Sequence, residues 1–562
     1  MKNNYGVAGI WLNAVRNSAR FVTGHSSSPG QGIGRRRMVL PLCLFGAVVA
    51  GWLAVPVRAA VLTTNLVEKV ADLSFFTDTD GAGHGGYAPL DRFVQVGTNL
   101  WFTTKSGGTL DLGTISRFDL GTHQVVQVAT LDNNTGSNPE SPLTVIDQEA
   151  YFTTVSKGMS NKGTISKIDL NSGNITPLFA FPNNGLPTGA TPRAGLTLIG
   201  NDLWTTTSLG GSTGRGVVVK YNLTRGTASL VTNLDGPLLG GQSTTMLVPV
   251  GNAWYFTAAT GGDTFNTTNY PVSVLPDGST IIITNKLVLG GGTLDRLTFD
   301  GNGNPVISKV LSVPGGFTQF LYEEPTLVGT NSLYFTSTGP NSLPGAISRY
   351  DLDTGYFTNL FSFSTNPVPA ALYGTRPGYS GLVEWQGELY FINRNGGTNT
   401  TVANSGGGTV AKYNIAANTV IKLADLGGPV PETDLGSPSG FFGTGTIVQE
   451  TNRFYIYYPL TSGGANLNLS GTGLGTIIRV SLPPPPIQLT IVPTNNATNF
   501  NLSWTGGYPP FDVLTNSDVS VPTTNWGAVV SNLNSDTNTT NWTVTLPAAG
   551  DSTFYRIRGQ AQ

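Results

Sequence analysis

Asn201 to Leu223 reads NDLWTTTSLGGSTGRGVVVKYNL: a turn, a short strand that opens on an aromatic residue, a Gly-rich loop, a second strand and another turn. Versions of this stretch occur seven times, with the opening aromatic residue at Trp101, Tyr151, Trp204, Tyr255, Tyr334, Tyr390 and Tyr455. The usual spacing is roughly fifty residues, the size of one four-stranded propeller blade. The repeat therefore predicts an all-β fold, a seven-bladed β-propeller.

The strand after each Gly-rich loop roughly alternates apolar and polar residues, as in GTISRFDL, GTISKIDL and GVVVKYNL. This pattern is typical of a strand that is buried on one face or sandwiched between neighbouring blades. A further strand follows in most copies, but in the seventh Leu482 runs directly into Pro483. Asn65 to Phe76, NLVEKVADLSFF, stands alone before copy one and has the pattern of the missing strand. We expect this segment to complete the last blade and close the ring.

The composition suits turn-rich β structure, because 11% of the 562 residues are charged while 73 are Gly and 35 are Pro. The formal net charge is -2. Bulk attraction to nucleic acid or to anionic membranes is therefore not indicated, and we expect no nucleic-acid partner.

Residues 1–59 have the features of a targeting segment. Arg35 to Arg37 precede an apolar stretch from Met38 to Val55, and small residues at the expected cleavage positions end at Ala59. We expect export, with a secreted, periplasmic or cell-surface location. The basic run also resembles a twin-arginine signal, and an uncleaved membrane anchor is the alternative interpretation. The single cysteine, Cys43, lies in this segment, so the mature chain would have no disulfide.

The predicted propeller occupies residues 60–482, and a polyproline linker follows at 483–486. Five alternating stretches within residues 487–562 predict a small β-sandwich. Its NLSWTGGYPPFDV and its terminal FYRIR resemble fibronectin type III modules, with a strand tryptophan and a late tyrosine. The resemblance implies a role in adhesion or spacing.

Loop lengths differ between the two ends of the predicted blades. One end has tight turns, while the other collects the Gly-rich loops, the links between blades and a long insertion from Gly261 to Gly292. That insertion predicts an extra hairpin turning at Asp277 and Gly278. Variable loops on a rigid scaffold usually carry function, so the long-loop end is the predicted binding face.

The links between blades carry charged residues that we expect near the mouth of the central channel. A mixed ring of carboxylates and guanidinium groups could hold a polar ligand or a cation. The alternative is that these groups are solvated rim charges and ion pairs between blades. The candidate binding residues are Asp91, Glu140, Arg193, Glu323, Glu324 and Arg376.

Support for catalysis is thin. Outside the targeting segment the chain has two histidines, His84 and His123, and no GxSxG or HExxH motif. Glu323 and Glu324 are the obvious carboxylate pair for acid/base chemistry. Being adjacent, they would point to opposite sides of an extended segment and would not flank one substrate atom.

The segment from Asp78 to Gly86, DTDGAGHGG, alternates carboxylates before glycines. Hard oxygen ligands on a permissive backbone suit Ca²⁺, so Asp78 and Asp80 are candidate calcium ligands. The alternative interpretation is an ordinary Asx/Gly turn. No other cofactor is predicted.

The stretch TTTSLGGSTGRGVVVKYNL resembles the GloVer tandem repeat of bacterial exported proteins, in which a Gly-rich loop precedes a G-x-V-x-K strand. Partial matches extend the resemblance over most of residues 90–480. The resemblance implies an exported repeat protein of unsettled activity. The loop asymmetry and the appended sandwich favour a non-catalytic binding or adhesion protein for a glycan, peptide or surface polymer. The alternative is an extracellular polysaccharide hydrolase or lyase that uses the carboxylates at the channel mouth.

Overall fold

The chain was analysed as a computed structural model. It describes residues 7–9, 66–73, 85–263, 265–266, 270–274, 280–283, 287–288, 290–313, 321–339, 344–363, 373–398, 407–427, 434–437, 443–451, 453–464, 473–493, 499–517, 520, 522, 525–533, 541–547 and 554–559. Within these residues the regular structure is β, apart from a short 3-10 helix at Pro377–Tyr379. The all-β prediction is confirmed.

The first repeats form antiparallel sheets in chain order. Sheet 1 contains Tyr87–Pro89, Val94–Val96, Asn99–Ser106, Thr114–Asp119 and Gln124–Thr130. Sheet 2 contains Thr144–Ile146, Glu149–Thr154, Thr164–Asp169 and Ile175–Ala180. Sheet 3 contains Thr197–Ile199, Asp202–Thr206, Val217–Asn222 and Thr227–Asn233. Sheet 4 contains Val248–Val250, Ala253–Ala258, Thr293–Phe299 and Pro305–Ser312.

The later repeats continue the series. Sheet 5 contains Thr326–Val328, Ser332–Ser337, Ala346–Asp351 and Phe357–Ser362. Sheet 6 contains Val383–Trp385, Glu388–Asn393, Thr409–Asn414 and Thr419–Asp425. Sheet 7 contains Thr446–Glu450, Arg453–Leu460, Thr476–Ser481 and, from the start of the chain, Val67–Asp72. Seven sheets are thus described, the number that the repeats predict.

The insertion in copy four forms the expected hairpin. Tyr270–Val274 pairs antiparallel with Thr280–Ile283, and Phe265–Asn266 pairs with Leu287–Val288. The predicted turn residues Asp277 and Gly278 lie outside the described residues.

In every copy a glycine stands immediately before the strand that follows the Gly-rich loop, such as Thr164–Asp169 in sheet 2, and backbone geometry explains it. At all seven positions φ is positive, for example 93° at Gly163. A Cβ atom at Gly163 would lie 2.0 Å from the carbonyl oxygen of Thr154 on the neighbouring strand. Glycine meets both requirements, so this part of the repeat pattern records a close backbone approach.

Each sheet shares one hydrophobic core with the next, and the series closes on itself. Leu143 and Phe152 of copy two pack in one core with Trp101 and Ile115 of copy one. Equivalent cores follow between each later pair of sheets. The last core joins Tyr457 and Ile477 of sheet 7 to residues of copy one that include Leu100. These cores define a propeller, in which each sheet buries both of its faces against its neighbours.

The segment at the start of the chain pairs with sheet 7 as predicted. Val67 lies opposite Val480, and Asp72 lies opposite Thr476. Glu68 of this strand also accepts a hydrogen bond of 2.5 Å from Nε of Arg479. The prediction of a ring latched by its N-terminal strand is confirmed.

The repeated aromatic residues belong to the cores between sheets in six of the seven copies. Trp101, Tyr151, Trp204, Tyr255, Tyr334 and Tyr390 are buried in cores between sheets. In copy seven the equivalent residue is Tyr457, which lies opposite Arg479, whereas Tyr455 is only partly buried. Because the strand Arg453–Leu460 carries aromatic residues two positions apart on one face, the sequence repeat was aligned two residues too early.

Residues 65–484 form one compact unit, and the described residues at 7–9 and beyond 485 belong to another. In the second unit Gln488–Pro493, Asn499–Thr505 and Asn541–Pro547 form one sheet. Val7–Gly9, Phe554–Arg558, Phe511–Asn516 and Gly527–Leu533 form the other, in that spatial order. One core, which includes Trp504, Phe511 and Ile557, joins the two sheets. The fibronectin type III resemblance stays a prediction.

Residues 10–59 of the predicted targeting segment lie outside the described residues. In the part of the chain that the structure does describe, no helix combines the length and apolar character needed to cross a membrane.

Candidate functional site

A cavity of about 310 Å³ lies where the links between sheets converge. Five of the six candidate binding residues line it, and the loop that follows the strand Asp202–Thr206 of sheet 3 contributes as well. The cavity therefore lies at the long-loop end. The lining residues are Asp91, Glu140, Thr191, Arg193, Ser208, Leu209, Gln242, Thr244, Tyr322, Glu323, Glu324 and Tyr379.

Threonine side chains on the strands hold these links in place. The hydroxyl of Thr103 donates to the carbonyl oxygen of Ser141, next to Glu140 (3.1 Å). The hydroxyl of Thr153 donates to the carbonyl oxygen of Ala194, next to Arg193 (2.8 Å). The hydroxyl of Thr257 donates to the carbonyl oxygen of Glu323 itself (3.1 Å). The Thr-rich strands thus fix the backbone that carries the charged side chains.

The Glu140 carboxylate has two cationic partners. One oxygen lies 2.9 Å from Nζ of Lys105, and the other pairs with the guanidinium group of Arg193. Glu140 is only 5% exposed, while its partners are much more open to water. At Glu140 and Arg193 the structure therefore combines both sequence interpretations, since these residues form an ion pair between links and also line the cavity.

Arg92 crosses the inside of the ring. It lies in the link just before the strand Val94–Val96 of sheet 1, yet its Nη1 atom is 3.3 Å from Oε2 of Glu324, in the link between sheets 4 and 5. Its Nη2 atom is 3.3 Å from Sδ of Met246, in the link between sheets 3 and 4. Because these links belong to opposite sides of the ring, the guanidinium group lies across the central channel.

Glu323 and Glu324 both line the cavity. The expectation that they point to opposite sides assumed an extended segment, but the backbone bends at Glu323. Glu324 is held by Arg92 and by the backbone amide of Met246, which donates to Oε1 at 3.1 Å. Oε1 of Glu323 is buried and accepts no hydrogen bond from the described residues.

Two carboxyl groups of the cavity have strongly perturbed acidity. Burial raises the pKa of Asp91 well above its usual value, against the lowering effect of Arg92, and the charge of Glu324 raises it further. Burial also raises the pKa of Glu323 well above its usual value, and the charges of Glu324 and Asp91 add to the rise. The arrangement therefore favours the neutral, protonated form of both groups.

Two tyrosines form the aromatic part of the wall. The rings of Tyr322 and Tyr379 are stacked, with centroids 5.4 Å apart and planes 13° apart. The guanidinium group of Arg394 lies over the Tyr379 ring, 4.7 Å from its centroid. Arg394 thus stabilises the wall through this cation–π contact.

Arg376 does not line the cavity. Its backbone is left-handed, with φ at 61°, and it caps the short helix Pro377–Tyr379. Its amide donates to the carbonyl oxygen of Pro344 at 2.7 Å, which fixes the link to the neighbouring loop. Because the chain turns at this point, the residue of this link that lines the cavity is Tyr379 and not Arg376.

Asp78 and Asp80, the candidate calcium ligands, lie outside the described residues. Among the residues that are described, no group of three His, Cys, Asp or Glu side chains is placed to hold a metal ion.

Sequence reasoning missed Arg92, Met246, Tyr322 and Tyr379. Arg92 and Tyr322 are immediate neighbours of the candidates Asp91 and Glu323. A search over whole links, rather than single charges, would have included them. No sequence pattern indicated Met246, because its role depends on a contact with Arg92 across the ring.

The family model described as the Gloeobacter/Verrucomicrobia repeat matches residues 65–270. The match runs from the latch strand to the hairpin inserted in sheet 4 and covers less than half of the chain. It confirms the predicted GloVer resemblance over that range. A comparison with curated proteins found no match.

Several solved structures are similar to this chain. TolB from Acinetobacter baumannii is 14% identical with a TM-score of 0.31, and the match covers 55% of this chain and 59% of that one. Oligogalacturonate lyase from Vibrio parahaemolyticus is 10% identical with a TM-score of 0.38, over 74% and 93% of the two chains. A puromycin hydrolase is 11% identical with a TM-score of 0.39, over 79% and 62%. At these identities no residue role transfers to this chain.

Proposed function

We propose that this chain is an exported, non-catalytic binding protein whose cavity takes a unit of an extracellular glycan. The observation that carries the proposal is the convergence of links from several sheets on one polar cavity. Its volume of about 310 Å³ lies at the lower end of the range for small-molecule sites. A single sugar unit is of that order.

The chemistry of the wall supports a hydroxyl-rich ligand. Sugar hydroxyls both donate and accept hydrogen bonds. The carboxyl groups of Asp91 and Glu323 and the side chains of Gln242 and Ser208 offer acceptors, while Arg193 and Gln242 offer donors. The sequence expectation of a binding face at the long-loop end leads to the same proposal.

The experiment is a screen of immobilised glycans with the purified protein, followed by a cavity-filling variant. Leu209 lines the cavity and is 46% exposed, so Leu209→Trp adds bulk there with little cost to folding. Leu198 is 41% exposed and does not line the cavity, so Leu198→Trp is the matched control. We expect Leu209→Trp to abolish glycan retention and Leu198→Trp to preserve it. Retention of no glycan, or equal retention by both variants, would contradict the proposal.

One observation favours a second candidate, a polysaccharide hydrolase or lyase. Glu323 is a buried carboxyl group with a raised pKa beside Glu324, whose charge is held by Arg92. A protonated carboxyl group next to an ionised one is the pairing that acid/base catalysis uses. Release of products from a polysaccharide panel, lost in Glu323→Gln or Glu140→Gln, would establish this alternative. Retention without turnover supports the binding function.

A further inference from the structure

The cavity contains two carboxyl groups for which no ion pair is found among the described residues. Glu140 pairs with Lys105 and Arg193, and Glu324 pairs with Arg92. Asp91 accepts a hydrogen bond from the backbone amide of Arg92 at 2.6 Å, and no ion pair to it is found among the described residues. The charge of Arg92 also acts on Asp91, but its ion pair is with Glu324.

Glu323 is the stronger indication of a missing partner. It is 4% exposed and lines the cavity, and its Oε1 atom accepts no hydrogen bond from the described residues. A buried polar atom left without a partner is costly to the folded protein. Where this carboxyl group lines the cavity, a ligand can supply a donor to it.

The chemistry of the two carboxyl groups indicates the kind of donor. Asp91 is close enough to Glu323 for its charge to raise the pKa of that group. An ammonium group carries three donors and a positive charge, so it bonds to both carboxylates and offsets their repulsion. A neutral hydroxyl group supplies one donor and no charge. The pair therefore favours a cationic amine over a neutral sugar hydroxyl.

We propose that the ligand is an amino sugar with a free, protonated amino group, and that Glu323 and Asp91 form the subsite for that group. This inference rests on the proposed glycan-binding function. A lysine side chain carries the same cation on a four-carbon apolar stem. Leu209 is the sole aliphatic side chain among the lining residues, so the wall suits a hydroxylated ring better than that stem.

Ammonium binding requires the ionised form of the subsite, which burial disfavours in the free protein. Binding therefore releases protons from Glu323 and Asp91. Affinity rises as the pH rises through the raised pKa values of these carboxyl groups. It falls again once the amine of the ligand loses its own proton.

The experiment is titration calorimetry of the purified protein with three oligosaccharides of equal length: glucosamine, its N-acetylated counterpart and glucose. We expect the glucosamine oligomer to bind at least about 10-fold more tightly than either neutral one. Glu323→Gln keeps the shape and removes the charge, and should weaken glucosamine binding about 10- to 100-fold while hardly changing the other two. Asp353→Asn, in an exposed turn between strands of sheet 5, is the control for loss of one negative charge.

Each outcome decides the question. Equal binding of the glucosamine and N-acetylated oligomers would overturn the ammonium subsite and leave glycan binding intact. Failure of all three oligomers to bind would overturn glycan binding as well. Tighter binding of a lysine-rich peptide than of the glucosamine oligomer would overturn the amino-sugar assignment.

A measurement on the unsubstituted protein keeps the test valid if Glu323→Gln does not fold. Titrations in two buffers with different ionisation enthalpies report the protons released on binding. We expect release with the glucosamine oligomer and none with the glucose oligomer. Absence of release with both would count against the subsite.

Discussion

The hydroxyl group of Thr446 donates a hydrogen bond of 2.7 Å to the carbonyl oxygen of Phe93, which lies 353 residues earlier in the chain. The same contact joins consecutive sheets elsewhere, from Thr144 to Leu196 and from Thr197 to Leu247. Sheet 7 is therefore next to sheet 1 in the ring and makes the same contact with it as consecutive sheets make with each other. This relationship, with the latch strand, closes the ring without any disulfide.

Removing the latch strand should open the ring. A chain that begins at residue 85 lacks Val67 and Leu73, which are both buried in cores of sheet 7. We expect a loss of about 3–6 kcal/mol from these two side chains and self-association through the exposed strand Thr476–Ser481. Thermal unfolding and size-exclusion chromatography check this, with a chain that begins at residue 60 as the control. A monomer with an unchanged midpoint would refute the latch.

Arg92→Met removes the cation that lies across the channel. Glu324 and Asp91 would lose their nearest positive charge, and because Arg92 is 27% exposed we expect a moderate loss of about 1–3 kcal/mol. The loss should grow as the pH rises, since more of the carboxyl groups are then ionised without a counter-charge. Thermal midpoints at about pH 5 and about pH 8 test the sign.

The double variant Arg92→Met with Glu324→Gln is the check on that cause. It removes both members of the pair and should recover much of the lost stability. If the second substitution deepens the loss, the Arg92–Glu324 contact is not what stabilises the channel.

Asp295 on sheet 4 should make stability depend on pH. It is 0% exposed, its Oδ1 atom has no hydrogen-bond partner among the described residues, and burial raises its pKa well above the usual value. Below the usual Asp pKa its contribution to stability is complete, and it is lost as the pH rises through the folded-state pKa. We therefore expect Asp295→Asn to be more stable than the natural chain at neutral pH, by about 1–3 kcal/mol.

The comparison between Asp295→Asn and the natural chain should be made across a pH series of thermal unfolding curves. The advantage of the variant should shrink towards acid pH, where the carboxyl group is neutral in both folded and unfolded chains. A constant difference would contradict the assignment. Asp295→Ser offers a second check, because copies one, two and five carry Ser at this position.

Gly443 allows the link before sheet 7 to approach the cavity. A Cβ atom at this position would lie 2.7 Å from both Cα and Oδ1 of Asp91. We expect Gly443→Ala to cost about 1–3 kcal/mol and to weaken glycan binding, because the backbone of Asp91 must move. Gly301→Ala is the control, since a Cβ atom there meets nothing within 4 Å. Equal stability and binding of the two variants would exclude this effect.

The repeating part of the fold was predictable because each copy obeys the same backbone and core requirements. The glycine before Thr164 and the buried Tyr151 recur since every sheet makes the same close approach and the same contact. The N-terminal strand Val67–Asp72 was predictable because the seventh copy lacks its last strand and the segment from Asn65 to Phe76 stands alone before copy one. Gly527–Leu533 was missed, because this short apolar stretch has no repeat to reveal it.

The site was less predictable, because its links follow no periodic pattern. Sequence position was enough to bring Asp91, Glu140 and Arg193 to one end of the ring. The direction of Glu323 depends on a local bend, and the reach of Arg92 depends on the width of the ring. The spacing of residues in the sequence predicts neither the direction of Glu323 nor the reach of Arg92.

The guanidinium group of Arg92 lies across the central channel in contact with Glu324, a residue that lines the cavity. If the chain binds a glycan polymer as proposed, this contact with Glu324 blocks threading through the ring, and we expect the polymer to enter by a free tip or a side branch. The number of sites that such a polymer offers then scales with how often it branches and how many chains it contains. A short, highly branched preparation should saturate the protein at lower mass than a long, linear one.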